Sequence, residues 1–344
     1  MKKLLTVMLA SALILASCST QTETVETVET PDVVVESVET TPEVETPEVE
    51  TSEEEIEYAR FAVANLSGPT AIGFLNMMEE EEHDYTIFGA PDEVVAAVVK
   101  GEIDIASIPA NLAATLYNKT EGGISVVAIN TLGVIYVVEV TDQIHSIEDL
   151  AGQHIYSTGQ GSTPEYGLNY ILETAGIADQ VEVEFKTEHA ELVALMSAGQ
   201  ADIGVLPEPY VSAAIAQNPD IHVALDLTEE WDKLDTESTM ITGVLIVRNE
   251  VIEENKESLD AFLEDYANSI ALANSEVEAT AELTEKYEIL TKEIAEVAIP
   301  NCNITYIDGE EMATKLSKYL EVLGEQNITS IGGALPGEDF YYSK

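Results

Sequence analysis

From residue 58 onward, short apolar runs alternate with longer segments in which apolar residues recur every three to four positions. The runs Tyr58–Ala64, Tyr85–Phe88, Ile103–Ile108, Ser125–Ile129, Val134–Val140, His154–Tyr156, Val181–Phe185, Ala201–Leu206 and Gly243–Val247 predict strands buried on both faces. The periodic segments between them predict helices that cover those faces. One stretch of this pattern occurs twice. Glu93 to Pro109 aligns without a gap to Glu191 to Pro207, at a constant offset of 98 residues. Each copy reads as an apolar helix stopped by a glycine (Gly101, Gly199), then a turn, then a buried strand ending at proline. A shorter match precedes it in both halves, Gly68-Pro69-Thr70 and Gly161-Ser162-Thr163, each ahead of a helical segment. Strands alternating with helices predict an α/β protein with parallel sheets. The duplication predicts two such lobes. In open sheets of this kind ligands bind beyond the carboxyl ends of the strands, so the loops Asn65–Thr70, Pro109–Asn111, Thr158–Glu165 and Pro207–Tyr210 are the candidate cleft.

The residues ahead of this domain follow another pattern. Lys2 and Lys3, the apolar run from Leu4 to Ala16 and the small residues before Cys18 predict a signal peptide over 1–17. The run is too short to span a bilayer comfortably. Leu15-Ala16-Ser17-Cys18 resembles a bacterial lipobox, which implies that Cys18 carries a lipid and anchors the chain to the membrane outside the cytoplasm. Residues 18–57 are Thr, Val, Glu and Pro phrases with 14 acidic residues and no lysine or arginine, which predicts a disordered, extended tether.

Charge narrows the partners. The formal net charge is −51, from 65 acidic against 14 basic residues, and that field disfavours nucleic acid and bare anionic lipid. Only two arginines occur, Arg60 and Arg248, and neither falls in a candidate cleft loop. With Cys18 committed to lipid, Cys302 is the one remaining thiol, so an internal disulfide is excluded and a buried packing role is expected. The five histidines (His83, His145, His154, His189, His222) show no metal-binding spacing, and no nucleophile elbow, Walker loop or dinucleotide fingerprint occurs. No cofactor, metal or catalytic residue is expected.

Specific phrases carry a resemblance. Gly68-Pro69-Thr70, Glu93 to Asn111 with Gly-Glu-Ile-Asp-Ile-Ala, Ser146 to Gln153, Gly159-Gln160-Gly161-Ser162-Thr163 and Leu206-Pro207-Glu208-Pro209 resemble the substrate-binding proteins of ABC importers, in the group serving nitrate, sulfonates, taurine and thiamine-precursor pyrimidines. The resemblance covers about residue 58 to the end. It implies a type II periplasmic-binding-protein fold whose two lobes close on a ligand by a hinge, with chain crossings near Val138–Val140 and Met240–Val244. Lobe one is then 58–138 plus 243–344, and lobe two 139–242. It also implies ABC permease and ATPase subunits as partners of a monomeric, lipid-anchored receptor. An extracytoplasmic enzyme on the same fold and a sensor without import are the alternatives, because fold does not fix function.

Site candidates follow from the cleft loops. Ser67, Gly68, Pro69 and Thr70 in one lobe, and Gly161, Ser162 and Thr163 in the other, place helix starts with free N–H groups toward the cleft, a setting for an anion. Asn111 either caps its helix or donates to ligand. Glu208, held between two prolines, either accepts from an amine or aminopyrimidine edge or is a solvated loop residue. Tyr210, Tyr136 and Trp231 either stack on a planar ligand or fill the core. Glu165 could stabilise its own helix, and His189 faces either the cleft or solvent. Lack of arginine and presence of acid favour a planar nitrogen heterocycle over a small sulfonate or nitrate-type anion.

Overall fold

The computed structural model describes residues 58–234 and 237–343. The expected signal peptide, Cys18 and tether lie outside the described residues. Eleven strands form among them: β1 (Ala62–Leu66), β2 (Asp84–Phe88), β3 (Ile105–Pro109), β4 (Ile124–Leu132), β5 (Ile135–Glu139), β6 (His154–Ser157), β7 (Glu182–Phe185), β8 (Ile203–Pro207), β9 (His222–Asp226), β10 (Ile241–Arg248) and β11 (Ile304–Ile307). They build two sheets, in the orders β11-β4-β10-β3-β1-β2 and β7-β6-β8-β5-β9. Both sheets and their helices belong to a single compact unit.

The sheets are mixed rather than purely parallel. Strands β1, β2 and β3 run parallel, as do β6, β7 and β8, but β10 is antiparallel to β3 and β4, and β5 is antiparallel to β8 and β9. The physical reason lies in the crossings. A chain that passes from one sheet to the other at their facing ends must enter its new sheet against the direction of the strands that end there. Accordingly Ile135, the first residue of β5, pairs with Pro207, the last of β8, and Gly243 near the start of β10 pairs with Pro109, the last of β3.

The first crossing therefore falls at Gly133-Val134, ahead of the expected Val138–Val140, because β5 already belongs to the second sheet. Glycine suits this crossing, since a Cβ at 133 would meet the Thr228 hydroxyl at 2.0 Å and the Met240 Cβ at 2.9 Å. The second crossing leads into β10 at Ile241. Two strands, β9 and β11, escaped the sequence reading: β9 has alternating, half-exposed residues, and β11 is a four-residue edge.

The duplicated phrases adopt matching structures. Helices Pro91–Val99 and His189–Ser197 both end in left-handed glycines, Gly101 at φ 74° and Gly199 at φ 67°. The Gly101 N–H bonds to the Val98 carbonyl and the Gly199 N–H to the Met196 carbonyl, while the Glu102 and Gln200 N–H groups reach back to Ala97 and Leu195. These bonds satisfy the last carbonyls of each helix, and the chain then turns into β3 or β8.

The polar helices of the C-terminal third bury one stripe each, as their spacing requires. In Lys256–Ser275 the buried residues Leu259, Phe262, Leu263, Tyr266, Ile270 and Ala273 recur every three or four positions and cover the first sheet, with Tyr266 stacked on Phe74 at 4.0 Å between ring centroids. The helix Gly309–Asn327 instead serves both lobes. It packs on β4 and the helix Ala110–Lys119 of the first and on the helix Thr163–Thr174 of the second, through Met312, Leu316, Tyr319, Leu320 and Leu323. The remaining tail is tied to the first lobe, where Tyr342 N–H bonds to the Val126 carbonyl and the Tyr117 hydroxyl to Asp339. Among the described residues no helix is long and apolar enough to cross a membrane.

Candidate functional site

The carboxyl ends of β1 and β8 open onto one cavity of about 640 Å³. Ser67, Gly68 and Pro69 line it from the first lobe, and Glu208, Pro209 and Tyr210 from the second. A smaller cavity of about 190 Å³, lined by Gly159, Ser162, Thr163 and Pro164 beyond the end of β6, shares Val134, His189, Pro207 and Thr242 with it. Seven of the ten ligand-binding positions expected from sequence thus line this cleft, whereas Thr70 and Gly161 make internal contacts beside it. Asn111 and the aromatic candidate Trp231 lie elsewhere.

Each departure has a local cause. The Thr70 hydroxyl donates to the Leu66 carbonyl at 3.3 Å, so this buried side chain stabilises the turn it closes. Asn111 points to the C-terminal segment, where its amide donates to the Ser330 carbonyl at 3.4 Å. Gly161 has φ 80° and its N–H is already taken by the Glu165 carboxylate at 2.6 Å, which leaves Glu165 stabilising its own helix start. Ser162 donates its hydroxyl to the Gly159 carbonyl at 2.7 Å. On the other side, the helix Pro69–Ile72 is a single turn. A one-turn helix carries little macrodipole, and the opposing start is occupied by a carboxylate, so the paired helix ends make a poor anion cradle.

Trp231 is fully buried, 4.5 Å from the Tyr170 ring and 5.6 Å from the Tyr319 ring by centroid, with its indole N–H donated to the Ser238 hydroxyl at 2.8 Å. It is core. Tyr136 is buried too, and its hydroxyl donates to the Asn301 carbonyl at 2.9 Å, joining β5 of the second lobe to the loop before β11 of the first.

Glu208 is the chemically distinctive group. It is 3% exposed and accepts from the backbone N–H and hydroxyl of Ser212, one turn along the helix Tyr210–Gln217. Burial pushes its carboxyl up to about 7, against the lowering effect of the Ser212 bonds. His189 faces the same space, which the sequence left open between cleft and solvent. Its ring lies 4.5 Å from that of Tyr210, its Nδ1 is 2.7 Å from the Thr158 hydroxyl, and burial holds its pKa below the usual range despite the nearby Glu188. Leu290, Thr291 and Ile294 complete the wall from the first lobe. No sequence signal marked them, because their segment reaches the cleft only through the packing of helix Lys292–Ala298 on helix Tyr210–Gln217.

Cations are absent from the lining formed by the described residues. Both arginines staple the opposite end of the first sheet. Arg60 pairs with Asp84 at 2.7 Å, and Arg248 with Asp104 at 2.8 Å. Among the described residues, one cluster of possible metal ligands escaped the local spacing rules, Glu139, Asp142 and His222, whose ligand atoms lie within 4.8 Å of one another. It sits at the far end of β5 from the cleft. Burial alone would raise the Glu139 carboxyl, but the Gln143 and Ile144 N–H groups and the Thr141 hydroxyl hold it below the usual range. Its oxygens are thereby used in clasping the following loop.

The family described as menaquinone biosynthesis matches residues 65–321, three quarters of the chain and the whole cleft. The chain belongs to that family. Solved structures show the same architecture. An ABC transporter protein from Parabacteroides distasonis is 23% identical, with a TM-score of 0.72 over 83% of this chain and 99% of that one. The periplasmic aliphatic sulphonate binding protein of Escherichia coli is 18% identical, with a TM-score of 0.66 over 83% of this chain and 92% of that one. The periplasmic nitrate-binding protein of Synechocystis PCC 6803 is 14% identical, with a TM-score of 0.51 over 76% of each chain. The fold of this family member is thus the two-lobed, type II periplasmic-binding architecture that its sequence phrases implied. None of the curated proteins matches the sequence.

Proposed function

We propose that this chain is an extracytoplasmic solute-binding protein, anchored through a lipid on Cys18, that takes a small molecule into the cleft and delivers it as a monomer to an ABC permease and ATPase. The observation that carries this reading is the cavity of about 640 Å³ whose polar groups come from both lobes, since a ligand touching both sides populates a closed form. The cargo is a planar nitrogen heterocycle. A pocket that offers a buried carboxyl and a tyrosine ring, with no lysine or arginine among its described lining residues, suits hydrogen-bond donors on a flat ring better than a sulfonate or nitrate. Membrane anchoring would rest on residues outside the described region, and import on subunits recognised by the closed form.

The family description favours a second reading, an enzyme that transforms a small aromatic metabolite in the same cleft. Glu208, titrating near neutrality, is the residue such chemistry would use as acid or base. Native mass spectrometry of the purified full chain, followed by identification of the released small molecule, separates the two. A stoichiometric, unchanged heterocycle is the expected result; a mixture of a compound and its altered product would replace the receptor with the enzyme, and a bound sulfonate would overturn the cargo assignment. With the released compound in hand, Glu208→Gln is expected to weaken binding by about 1.5–3 kcal/mol in calorimetry above pH 7, where the carboxylate is ionised, the range for a hydrogen bond to a charged group. Unchanged affinity would remove Glu208 from the ligand's contacts.

A further inference from the structure

His189 and Thr158 form a pair whose roles the geometry assigns. Thr158 follows β6 directly and is fully buried, and its hydroxyl lies 2.7 Å from His189 Nδ1. That is the only hydrogen bond this hydroxyl makes among the described residues. A hydroxyl brings one proton and two lone pairs. If Nδ1 carried the hydrogen and donated it, the Thr158 proton would be left in the interior with no acceptor, whereas the reverse arrangement leaves only lone pairs unused. The Thr158 O–H therefore donates to Nδ1. The ring hydrogen then sits on Nε2, in a side chain that lines both cavities and rests against the Tyr210 ring.

We propose that Thr158 is a positioning residue that locks His189 as the neutral Nε2–H tautomer, so that the cleft presents a fixed N–H donor to an oxygen acceptor on the ligand. The low pKa that burial gives His189 keeps this donor uncharged at neutral pH. The consequence for specificity rests on the receptor reading above. With Glu208 accepting and His189 donating across one cavity, the favoured heterocycle carries both ring N–H and carbonyl groups, as an oxopyrimidine does, and rings without an oxygen are disfavoured.

The test needs no ligand, so its outcome is independent of whether the chain imports, senses or transforms anything. Nitrogen NMR of the full chain labelled with ¹⁵N-histidine, the His189 signals assigned by their loss in His189→Gln, reads the tautomer directly. The expected result at pH 7 is a pyridine-like Nδ1 and a pyrrole-like Nε2, retained in Thr158→Ser and replaced by tautomer averaging in Thr158→Val. A pyrrole-like Nδ1, an imidazolium, or a spectrum unchanged in Thr158→Val would overturn the proposal. Thr158→Ser and the unsubstituted chain keep the measurement decisive if Thr158→Val does not fold.

Discussion

Trp231→Ala is expected to lower the free energy of unfolding by about 3–5 kcal/mol, the range for removing a large aromatic side chain from a packed core. The indole is fully buried and lies between Tyr170 of helix Thr163–Thr174 and Tyr319 of helix Gly309–Asn327. Truncation leaves a void between elements of different lobes and removes the hydrogen bond from the indole N–H to the Ser238 hydroxyl. Trp231 is the chain's single tryptophan, so the substitution also removes its fluorescence, and urea unfolding followed by circular dichroism is the suitable measurement. Because the ring supports the helix that begins with the cleft residue Thr163, ligand affinity is expected to fall along with stability. A loss below about 1 kcal/mol at constant m-value would mean that the two helices collapse to refill the space, contrary to close packing.

Glu208 governs the second large effect, which depends on pH. Its carboxyl has an ordinary value of 4.5 in the unfolded chain and is pushed up to about 7 in the folded one. Between those values the folded state holds a proton that the unfolded state has released, so stability falls as pH rises. The contribution is fully present below 4.5 and is lost as pH passes through about 7. At 1.36 kcal/mol per pKa unit, the difference is on the order of 3 kcal/mol. Glu208→Gln carries no titrating proton. Denaturant midpoints of the two proteins at pH 5 and pH 8.5 should therefore diverge, the glutamine form being more stable relative to the unsubstituted chain at the higher pH. Equal pH dependence in both would show that Glu208 stays ionised and solvated in the folded protein.

Much of the architecture was legible because it rests on local chemistry. Gly101 and Gly199 stop their helices through the left-handed conformation that a side chain disfavours, and the same hydrogen bonds follow in both copies. Apolar runs marked nine strands, and family phrases gave the fold. The positions of Ser67, Gly68, Pro69, Ser162, Thr163, Glu208 and Tyr210 beside the cleft followed from the rule that ligands gather at strand ends.

Where a side chain points and what it meets was decided by packing between segments remote in sequence. Trp231 is core because Tyr319, far along the chain, lies against it, and Asn111 serves the C-terminal segment because Ser330 arrives there. Glu165 takes the Gly161 N–H only once the turn has formed, and His189 becomes a cleft residue through Thr158 and Tyr210. The antiparallel strands β5 and β10 arise from where the chain crosses between sheets, which no local pattern records. Sequence by itself determined nine of the eleven described strands, their order and the family, since dihedral preference and hydrophobic period act over a few residues. The sheets' mixed direction, the absence of lysine and arginine from the described cleft lining and the division of the candidate residues between cleft wall and core were decided by tertiary structure, because burial and hydrogen-bond partners exist only after distant segments meet.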